Sequence, residues 1–185
     1  MKMLLLGSNG QLGKELERQL SEIGHLDAFP KSLLDITNYK LVKDTVALIN
    51  PNIIVNAAGG VCNQVANDLE NVTTEQWDQI FQSNVDSAFY ISRAFVAGMK
   101  KNNWGRIVTI SSGAGLRPSL TGIQAYTAAK HALVGLTKQL SSELGKYGIT
   151  INSIAPGFIL SNPTTQKQWD SYGEKGQSEL INRIH

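Results

Sequence analysis

The chain contains a single cysteine, Cys62, and only three histidines among its 185 residues. One cysteine cannot form an internal disulfide, and a free thiol is typical of a reducing compartment. The histidines show no metal-ligand spacing, so no metal site is predicted. Charges are few and balanced, with 17 basic and 15 acidic residues, and no basic run indicates nucleic-acid binding.

Long apolar segments are also missing. Glycine and polar residues interrupt the N-terminal run MKMLLLGSNG too early for a signal sequence, and no segment approaches membrane-spanning length. Hydrophobic residues nevertheless make up 42% of the chain, enough for the core of one domain. We therefore expect a single globular domain over residues 1–185 that works in the cytoplasm and does not bind nucleic acid or membranes.

Short apolar runs alternate with longer helical patterns along the chain. The runs KMLLLG, HLDAF, NIIVNAAGG, GRIVTISS and ITINSIAPG are typical of buried strands, most of which end on small or polar residues, and apolar residues recur at helical spacing between them. This alternation predicts an α/β fold, a doubly wound, Rossmann-like parallel sheet with helices on both faces. Ligands of such sheets bind beyond the carboxyl ends of the strands, so the segments that follow the strands form the candidate site.

The first strand is followed by GSNGQLG, a glycine-rich turn that leads into a helix. Glycine allows the tight turn and lets a pyrophosphate approach the backbone, while the helix N-terminus offers unpaired N–H groups to the anion. The spacing G-x-x-G-x-x-G differs from the usual dinucleotide-binding spacing, so a tight connection without a ligand is the alternative. The candidate cofactor-binding residues here are Gly7, Asn9, Gly10, Gln11, Leu12 and Gly13.

The end of the second strand bears on the choice between NAD and NADP. An acidic residue is typical there when NAD is bound, but Asp27 lies inside the strand and Lys31 follows its end. A lysine can meet a 2′-phosphate and so favours NADP, although NAD and a merely solvated lysine both stay open. Asp35, followed by Ile36, is the candidate on the adenine side, and capping of the next helix is its alternative role.

Tyr126 and Lys130 stand four positions apart in YTAAKHALVGLTKQL, so both side chains point to one face of the predicted helix. A free phenol has a pKa of about 10, and a neighbouring ammonium lowers that pKa because it favours the phenolate. Such a pair also arises by chance, so its meaning depends on the other motifs.

Four motifs stand in order along the chain: GSNGQLG, NAAG, a serine pair after a strand, and Tyr126-x-x-x-Lys130 followed by PG. This combination resembles the short-chain dehydrogenase/reductase family. Residues from about 57 to 185 are similar to its single-domain branch of 3-oxoacyl-carrier-protein reductases and polyol dehydrogenases. Residues from 1 to about 58 instead resemble dTDP-4-dehydrorhamnose reductases. We therefore expect either a hybrid, natural or engineered, with a join near residues 56–60, or a compact variant. From this resemblance we expect the chain to lack the usual last helix and strand of the single-domain branch, which would leave a sheet edge exposed.

The resemblance implies hydride transfer between NAD(P) and a small carbonyl compound or secondary alcohol. It implies that Tyr126 is the acid/base, that Lys130 lowers its pKa and holds the nicotinamide ribose, and that Ser112 orients the substrate oxygen. Ser111 is the rival of Ser112, and Asn84 would hold a water that relays protons to Lys130. Further cofactor contacts are implied for Asn56, Ala57, Ala58 and Gly59 after the third strand and for Pro156, Gly157 and Ile159 after the last.

Two other functions stay open at this stage. A chain without its substrate region could bind the dinucleotide with little or no turnover, and the N-terminal resemblance would suit a nucleotide-sugar reductase. The segments 75–101 and 125–147 look apolar on more than one side, and in the family these helices pair between subunits. We therefore expect a homo-oligomer, a dimer or tetramer, with Phe95 and Leu136 buried between chains.

Overall fold

The strands and helices follow the order expected from the sequence. The computed structural model describes residues 1–64, 67–119 and 121–182. The strands are β1 (Lys2–Leu6), β2 (His25–Phe29), β3 (Ile53–Asn56), β4 (Gly105–Ile110) and β5 (Ile149–Ile154). The α-helices of these residues are α1 (Gln11–Ser21), α2 (Tyr39–Ile49), α3 (Thr74–Phe81), α4 (Ser87–Asn102), α5 (Gln124–Leu144), α6 (Pro163–Ser171) and α7 (Gly173–Ile181).

The five strands form one parallel sheet in the order β2-β1-β3-β4-β5. Residues 3 to 6 of β1 are at most 1% exposed, as expected for a strand that is covered by helices on both faces. The predicted doubly wound sheet is therefore confirmed. From β1 the chain first moves outward to β2 and then crosses back to β3, so the topological switch point, where such sheets open a crevice, lies between β1 and β3.

Apolar side chains from the sheet and from α4 share the main core. Leu4, Ile54 and Ile107 pack in one buried cluster with Ile91 and Phe95 of α4. Phe95 is only 5% exposed within this chain. The expectation that Phe95 is buried between subunits is therefore wrong, because its side chain already packs in the core of its own subunit.

The long helix that was predicted over residues 75–101 contains a turn of a different kind. α3 begins with a capping box, in which the Gln76 N–H donates to the Thr73 hydroxyl and the Thr73 N–H donates to Gln76 Oε1. A π-helical turn, Gln82–Asp86, then separates α3 from α4. Such single-turn bulges add a residue to the helical repeat and are frequent at functional sites.

The chain divides into two compact units, residues 1–155 and 156–185. In the second unit the rings of Trp169 and Tyr172 both lie 5.9 Å from the ring of Phe158, between centroids. Gln168 Nε2 donates to the Tyr172 hydroxyl at 2.6 Å. These contacts hold together a small helical unit around three aromatic rings. Among the described residues, none of the helices combines the length and the apolar character that a membrane crossing requires.

Candidate active site

A cleft of about 290 Å³ opens at the carboxyl ends of β1, β2 and β3, beside the topological switch point. Backbone and small side chains form much of its wall, which suits the close approach of a ligand. It is lined by Gly7, Asn9, Gly10, Lys31, Leu34, Asp35, Ile36, Thr37, Ala57, Ala58, Gly59 and Ser83. The structure therefore brings together predicted cofactor residues from all three loops that follow these strands.

The glycine turn after β1 is shaped by contacts that only glycine permits. Gly7 has a positive φ of 79°, and a Cβ there would stand 2.8 Å from the backbone of Ala58. A Cβ on Gly13 would overlap the carbonyl oxygen of Gly7. Gly10 is the N-cap of α1 and makes no side-chain capping bond. N–H groups of the first helical turn therefore stay open to a ligand.

The turn after β2 places a cation and a carboxylate on the cleft. Lys31 is exposed there. Asp35 Oδ1 accepts hydrogen bonds from the Thr37 N–H at 3.0 Å and the Thr37 hydroxyl at 2.7 Å. Burial would raise the pKa of Asp35, but the bonds from Thr37 and the charge of Lys31 outweigh it and hold the pKa below its usual value. Asn38, not Asp35, caps α2, because Asn38 Oδ1 accepts from the Leu41 N–H at 3.1 Å.

The loop after β3 forms the opposite wall. Ala57, Ala58 and Gly59 line the cleft. Asn56 is 3% exposed, and its Oδ1 accepts a hydrogen bond from the Ala58 N–H at 3.2 Å. Asn56 therefore shapes this wall from behind rather than lining the cleft itself.

A second group of side chains, Ser112, Tyr126 and Lys130, lies next to the cleft. Ser112 belongs to the loop that follows β4, whereas Tyr126 and Lys130 belong to α5. The Ser112 side chain interacts with the phenol of Tyr126 and lowers the pKa of that phenol, and its hydroxyl accepts a hydrogen bond from the Ala114 N–H at 3.2 Å. Ser111 faces elsewhere, since its hydroxyl donates to the backbone carbonyl of Lys130 at 3.2 Å. The geometry thus separates two serines that the sequence left as rivals.

Burial dominates the electrostatics of this group. Lys130 is 4% exposed, and desolvation lowers its pKa from 10.5 to about 8. Its Nζ donates to the Ile110 carbonyl at 2.8 Å and lies 5.3 Å from the centre of the Tyr126 ring. Burial also raises the pKa of Tyr126, and the interaction with the Ser112 side chain partly opposes that rise. A weakly acidic phenol therefore lies beside a buried ammonium.

Asn84 lies on the π-helical turn and is 2% exposed. Its Nδ2 donates to the carbonyls of Ile80 at 2.8 Å and Gly60 at 2.9 Å, and its Oδ1 accepts from the Gly60 N–H at 3.1 Å. A Cβ on Gly59 would come within 2.5 Å of Asn84 Oδ1. The Asn84 side chain thus holds the loop after β3 by bonding the backbone of Gly60.

Small apolar contacts connect the cleft with the Tyr126 group. Ile80, Ala125 and Ala129 form a buried cluster against which Cys62 and Tyr126 both pack. Cys62 Sγ lies 3.3 Å from the hydroxyl of Ser83, which lines the cleft.

Some predicted and observed lining residues differ. The sequence interpretation missed Leu34, Thr37 and Ser83, which line the cleft. Thr37 could have been found from its position two residues after Asp35, a typical turn spacing, whereas nothing local distinguishes Leu34 or Ser83. The side chains of Gln11 and Leu12 are exposed at the start of α1. Pro156, Gly157 and Ile159 belong to the second unit, in the segment without regular secondary structure before α6.

Comparison with known proteins identifies the family. The short chain dehydrogenase family model matches residues 1–172. A D-beta-hydroxybutyrate dehydrogenase of Rhizobium meliloti is 39% identical over 158 residues, which cover 81% of this chain and 59% of that protein. A 3-oxoacyl-(acyl-carrier-protein) reductase FabG of Buchnera aphidicola is 32% identical over 200 residues, covering 93% of this chain and 80% of the relative. The chain therefore belongs to the short-chain dehydrogenase family, as predicted.

The fold is shared with solved structures. The structure titled "ElxO with NADP Bound" superposes with a TM-score of 0.82 at 24% identity, covering 96% of this chain and 82% of that one. A NAD+-bound xylitol dehydrogenase gives a TM-score of 0.81 at 20% identity and covers 99% and 84% of the two chains. At these identities the likeness establishes the fold.

Two further facts concern the extent of the match. The chain spans 59% of the Rhizobium meliloti hydroxybutyrate dehydrogenase and 46% of a Cupriavidus necator protein of the same name. The short chain dehydrogenase match begins at residue 1. It therefore gives no support to the separate resemblance of the first sixty residues to dTDP-4-dehydrorhamnose reductases.

Proposed function

We propose that this protein is an NAD(P)-dependent oxidoreductase that interconverts a carbonyl compound and a secondary alcohol. One observation carries the proposal: the Tyr126 phenol interacts with the Ser112 side chain and its ring lies 5.3 Å from the buried ammonium of Lys130, next to a glycine-walled cleft. A bound nicotinamide cofactor would supply or accept the hydride. The residues of the chain supply the proton and the orientation of the reactants.

Tyr126 is the acid/base in this proposal. During reduction, hydride adds to the carbonyl carbon while the phenol proton passes to the carbonyl oxygen; oxidation runs the same transfers in reverse. Burial raises the pKa of Tyr126, so the phenol carries its proton before the reduction step. The ammonium of Lys130 stabilises the phenolate that remains, because opposite charges attract strongly where water is scarce.

The other members of the group orient the reactants. Ser112 would donate a hydrogen bond to the substrate oxygen that Tyr126 protonates. Lys130 would also hold the nicotinamide ribose. Asn84 shapes the loop at Gly60, and its role in a proton relay to Lys130 stays a prediction.

The cleft would hold the dinucleotide. The pyrophosphate would lie beside Gly7, Asn9 and Gly10 at the N-terminus of α1, where N–H groups of the first helical turn would face the anion. The exposed cation of Lys31 on the cleft wall favours NADP over NAD, because a 2′-phosphate adds negative charge there. Asp35 and Ile36 would contact the adenine side.

The substrate is proposed to be a small carbonyl compound or alcohol. Two of the similar proteins named above, the hydroxybutyrate dehydrogenase of Rhizobium meliloti and the 3-oxoacyl-(acyl-carrier-protein) reductase, carry names that describe chemistry at the β-carbon of a carboxylic acid or thioester. A 3-oxo acid is therefore the first compound to test. We also propose a homo-oligomer working in the cytoplasm, where the free thiol of Cys62 would stay reduced; a single subunit mass in native mass spectrometry would contradict the oligomer.

The decisive experiment mixes the purified protein with NADPH or NADH and a panel of carbonyl compounds, including 3-oxo acids, and follows absorbance at the reduced nicotinamide band. We expect oxidation with at least one compound and none with Tyr126→Phe. Binding of the cofactor without oxidation of it by any compound would instead support the alternative of a dinucleotide-binding module without turnover.

A further inference from the structure

The loop that follows β3 is held at two separate places. At its start, Asn84 bonds both the N–H and the carbonyl of Gly60. Farther along, Gln64 Nε2 donates to Gln124 Oε1 at 2.7 Å. The second contact joins the loop to α5, the helix that carries Tyr126 and Lys130.

Gln124 uses both ends of its amide on this loop. Its Oε1 accepts from Gln64, and its Nε2 donates to the Asn67 carbonyl at 2.7 Å. The Asn67 N–H in turn donates to the Gly122 carbonyl at 3.3 Å, just before the helix. The two segments are therefore connected by three hydrogen bonds between residues almost sixty positions apart in the sequence.

Packing alone does not explain a glutamine at position 64. The side chain is 0% exposed, and its Oε1 has no hydrogen-bond partner among the described residues. A buried acceptor without a donor destabilises the folded state, whereas an apolar side chain of similar size would avoid that loss. What the glutamine does provide is the directed bond to Gln124.

The position of Gln124 gives this bond its consequence. Gln124 is the first residue of α5, and the N-cap Ile123 makes no side-chain capping bond. Tyr126 follows two residues later in the same first turn. The orientation of that turn determines where the phenol lies relative to Ser112, and a misplacement of about 1 Å can cost about 100-fold in rate.

We propose that Gln64 and Gln124 form an amide clamp that positions the first turn of α5, and with it Tyr126, against the cleft loop. The two glutamines act through Tyr126 and are positioning residues. The proposal rests on the proposed function for its catalytic consequence, but the clamp itself is a structural claim that can be tested without turnover.

The first test compares Gln64→Met with Gln79→Met, a matched exchange at an exposed position of α3. We expect Gln64→Met to lower kcat about tenfold and to leave the dissociation constant of the cofactor unchanged. The melting midpoint should move by less than about 4 °C, because one unpaired buried acceptor is removed while Gln124, which is only half-buried, loses its donor. Gln79→Met should leave all three quantities unchanged.

A double-mutant cycle separates positioning from general loosening. Gln124→Met should lower kcat at least as much as Gln64→Met, because it also loses the bond to the Asn67 carbonyl. Gln64→Met/Gln124→Met should be no slower than Gln124→Met, because the bond between the two glutamines is already lost in that single variant. Unchanged kcat, losses that multiply in the double variant, or a loss that follows the fraction of unfolded protein would each overturn the clamp. Should Gln64→Met not fold, Gln124→Met alone is compared with the control.

Hydrogen exchange keeps this result apart from the fate of the proposed function. In Gln64→Met, backbone amides of residues 124–130 should exchange at least about tenfold faster than in wild type, while those of β1 do not change. Equal exchange in the variant and the Gln79→Met control would overturn the clamp even if the enzyme is active. If exchange is faster in Gln64→Met but the wild-type protein oxidises no reduced cofactor, the amide clamp is supported and the proposed oxidoreductase function is contradicted.

Discussion

The ammonium of Lys130 lies 5.3 Å from the centre of the Tyr126 ring and is held by a backbone carbonyl, that of Ile110, at 2.8 Å. The ion pairs found in the described part of the chain do not include Lys130. Its charge is therefore not neutralised by a carboxylate, and it stays available to the phenol. This arrangement gives the lysine two measurable consequences, one for catalysis and one for stability.

Removal of the Tyr126 hydroxyl should abolish turnover without unfolding the protein. Tyr126→Phe keeps the ring that packs against Ala125 and Ala129, so the melting midpoint and cofactor affinity should stay near the wild-type values. The rate should fall at least about 100-fold, because general acid catalysis contributes that much or more. Tyr147→Phe, in the turn after α5, is the control and should remain active. A Tyr126→Phe protein with wild-type rate would exclude the phenol as the acid/base.

Lys130→Met should stabilise the protein at neutral pH while removing activity. The pKa of Lys130 falls from 10.5 to about 8 on folding because of burial, which corresponds to a penalty of about 3 kcal/mol for holding the charge. Loss of the hydrogen bond to the Ile110 carbonyl lowers the free energy of unfolding by about 1 kcal/mol. The net gain in the free energy of unfolding at pH 7 should therefore be about 2 kcal/mol.

The pH dependence of that gain has a definite sign. Below pH 8 both the folded and the unfolded chain hold the proton of Lys130, so the whole penalty is present. Between about 8 and 10.5 the folded state has released its proton and the unfolded state has not, so the stability contributed by this group rises with pH. Urea unfolding at pH 7 and pH 10 should show the advantage of Lys130→Met shrinking, whereas Lys138→Met, an exposed exchange on the same helix, should give no such change.

Two glycine-to-alanine exchanges should have opposite effects. A Cβ on Gly13 would overlap the carbonyl of Gly7 and stand 2.9 Å from the carbonyl carbon of Ser8, both rigid backbone atoms. Gly13→Ala should therefore lower the free energy of unfolding by at least about 2 kcal/mol. Gly135 lies inside α5, and among the described residues no atom outside its own helical turn would lie within 4 Å of an added Cβ. Gly135→Ala should therefore raise the free energy of unfolding by about 0.5–1 kcal/mol. Thermal unfolding of the two variants measures both changes in stability. A Gly13→Ala protein as stable as wild type would mean that the glycine turn can rearrange.

Lys31→Ala should weaken the binding of NADPH more than the binding of NADH. The side chain is exposed, so its attraction for a 2′-phosphate is screened by solvent and should be worth only about three- to tenfold in affinity. The dissociation constant of NADPH should rise by that factor at low salt and by less at high salt, while that of NADH stays constant. Lys43→Ala, an exchange at an exposed position of α2, is the control. An equal effect on both cofactors would place Lys31 away from the 2′-phosphate.

Local sequence patterns determined the elements and much of the site. The buried run from Met3 to Leu6 identified β1, since a strand covered on both faces needs no polar alternation. Gly7 and Gly13 predicted a close turn because only glycine tolerates those contacts. The four-residue spacing of Tyr126 and Lys130 placed both on one face of α5, because helical periodicity is a local property of the chain.

Tertiary packing decided what periodicity does not encode. Ser111 and Ser112 are adjacent, and only the approach of α5 to the end of β4 turned one hydroxyl to the Lys130 carbonyl and the other to the Tyr126 phenol. The π-helical turn that buries Asn84 was equally invisible, since its sequence continues a helical pattern. The bond between Gln64 and Gln124 joins residues sixty positions apart. Such contacts depend on how distant segments meet, and that is set by the packing of the whole sheet and its helices rather than by any one stretch of sequence.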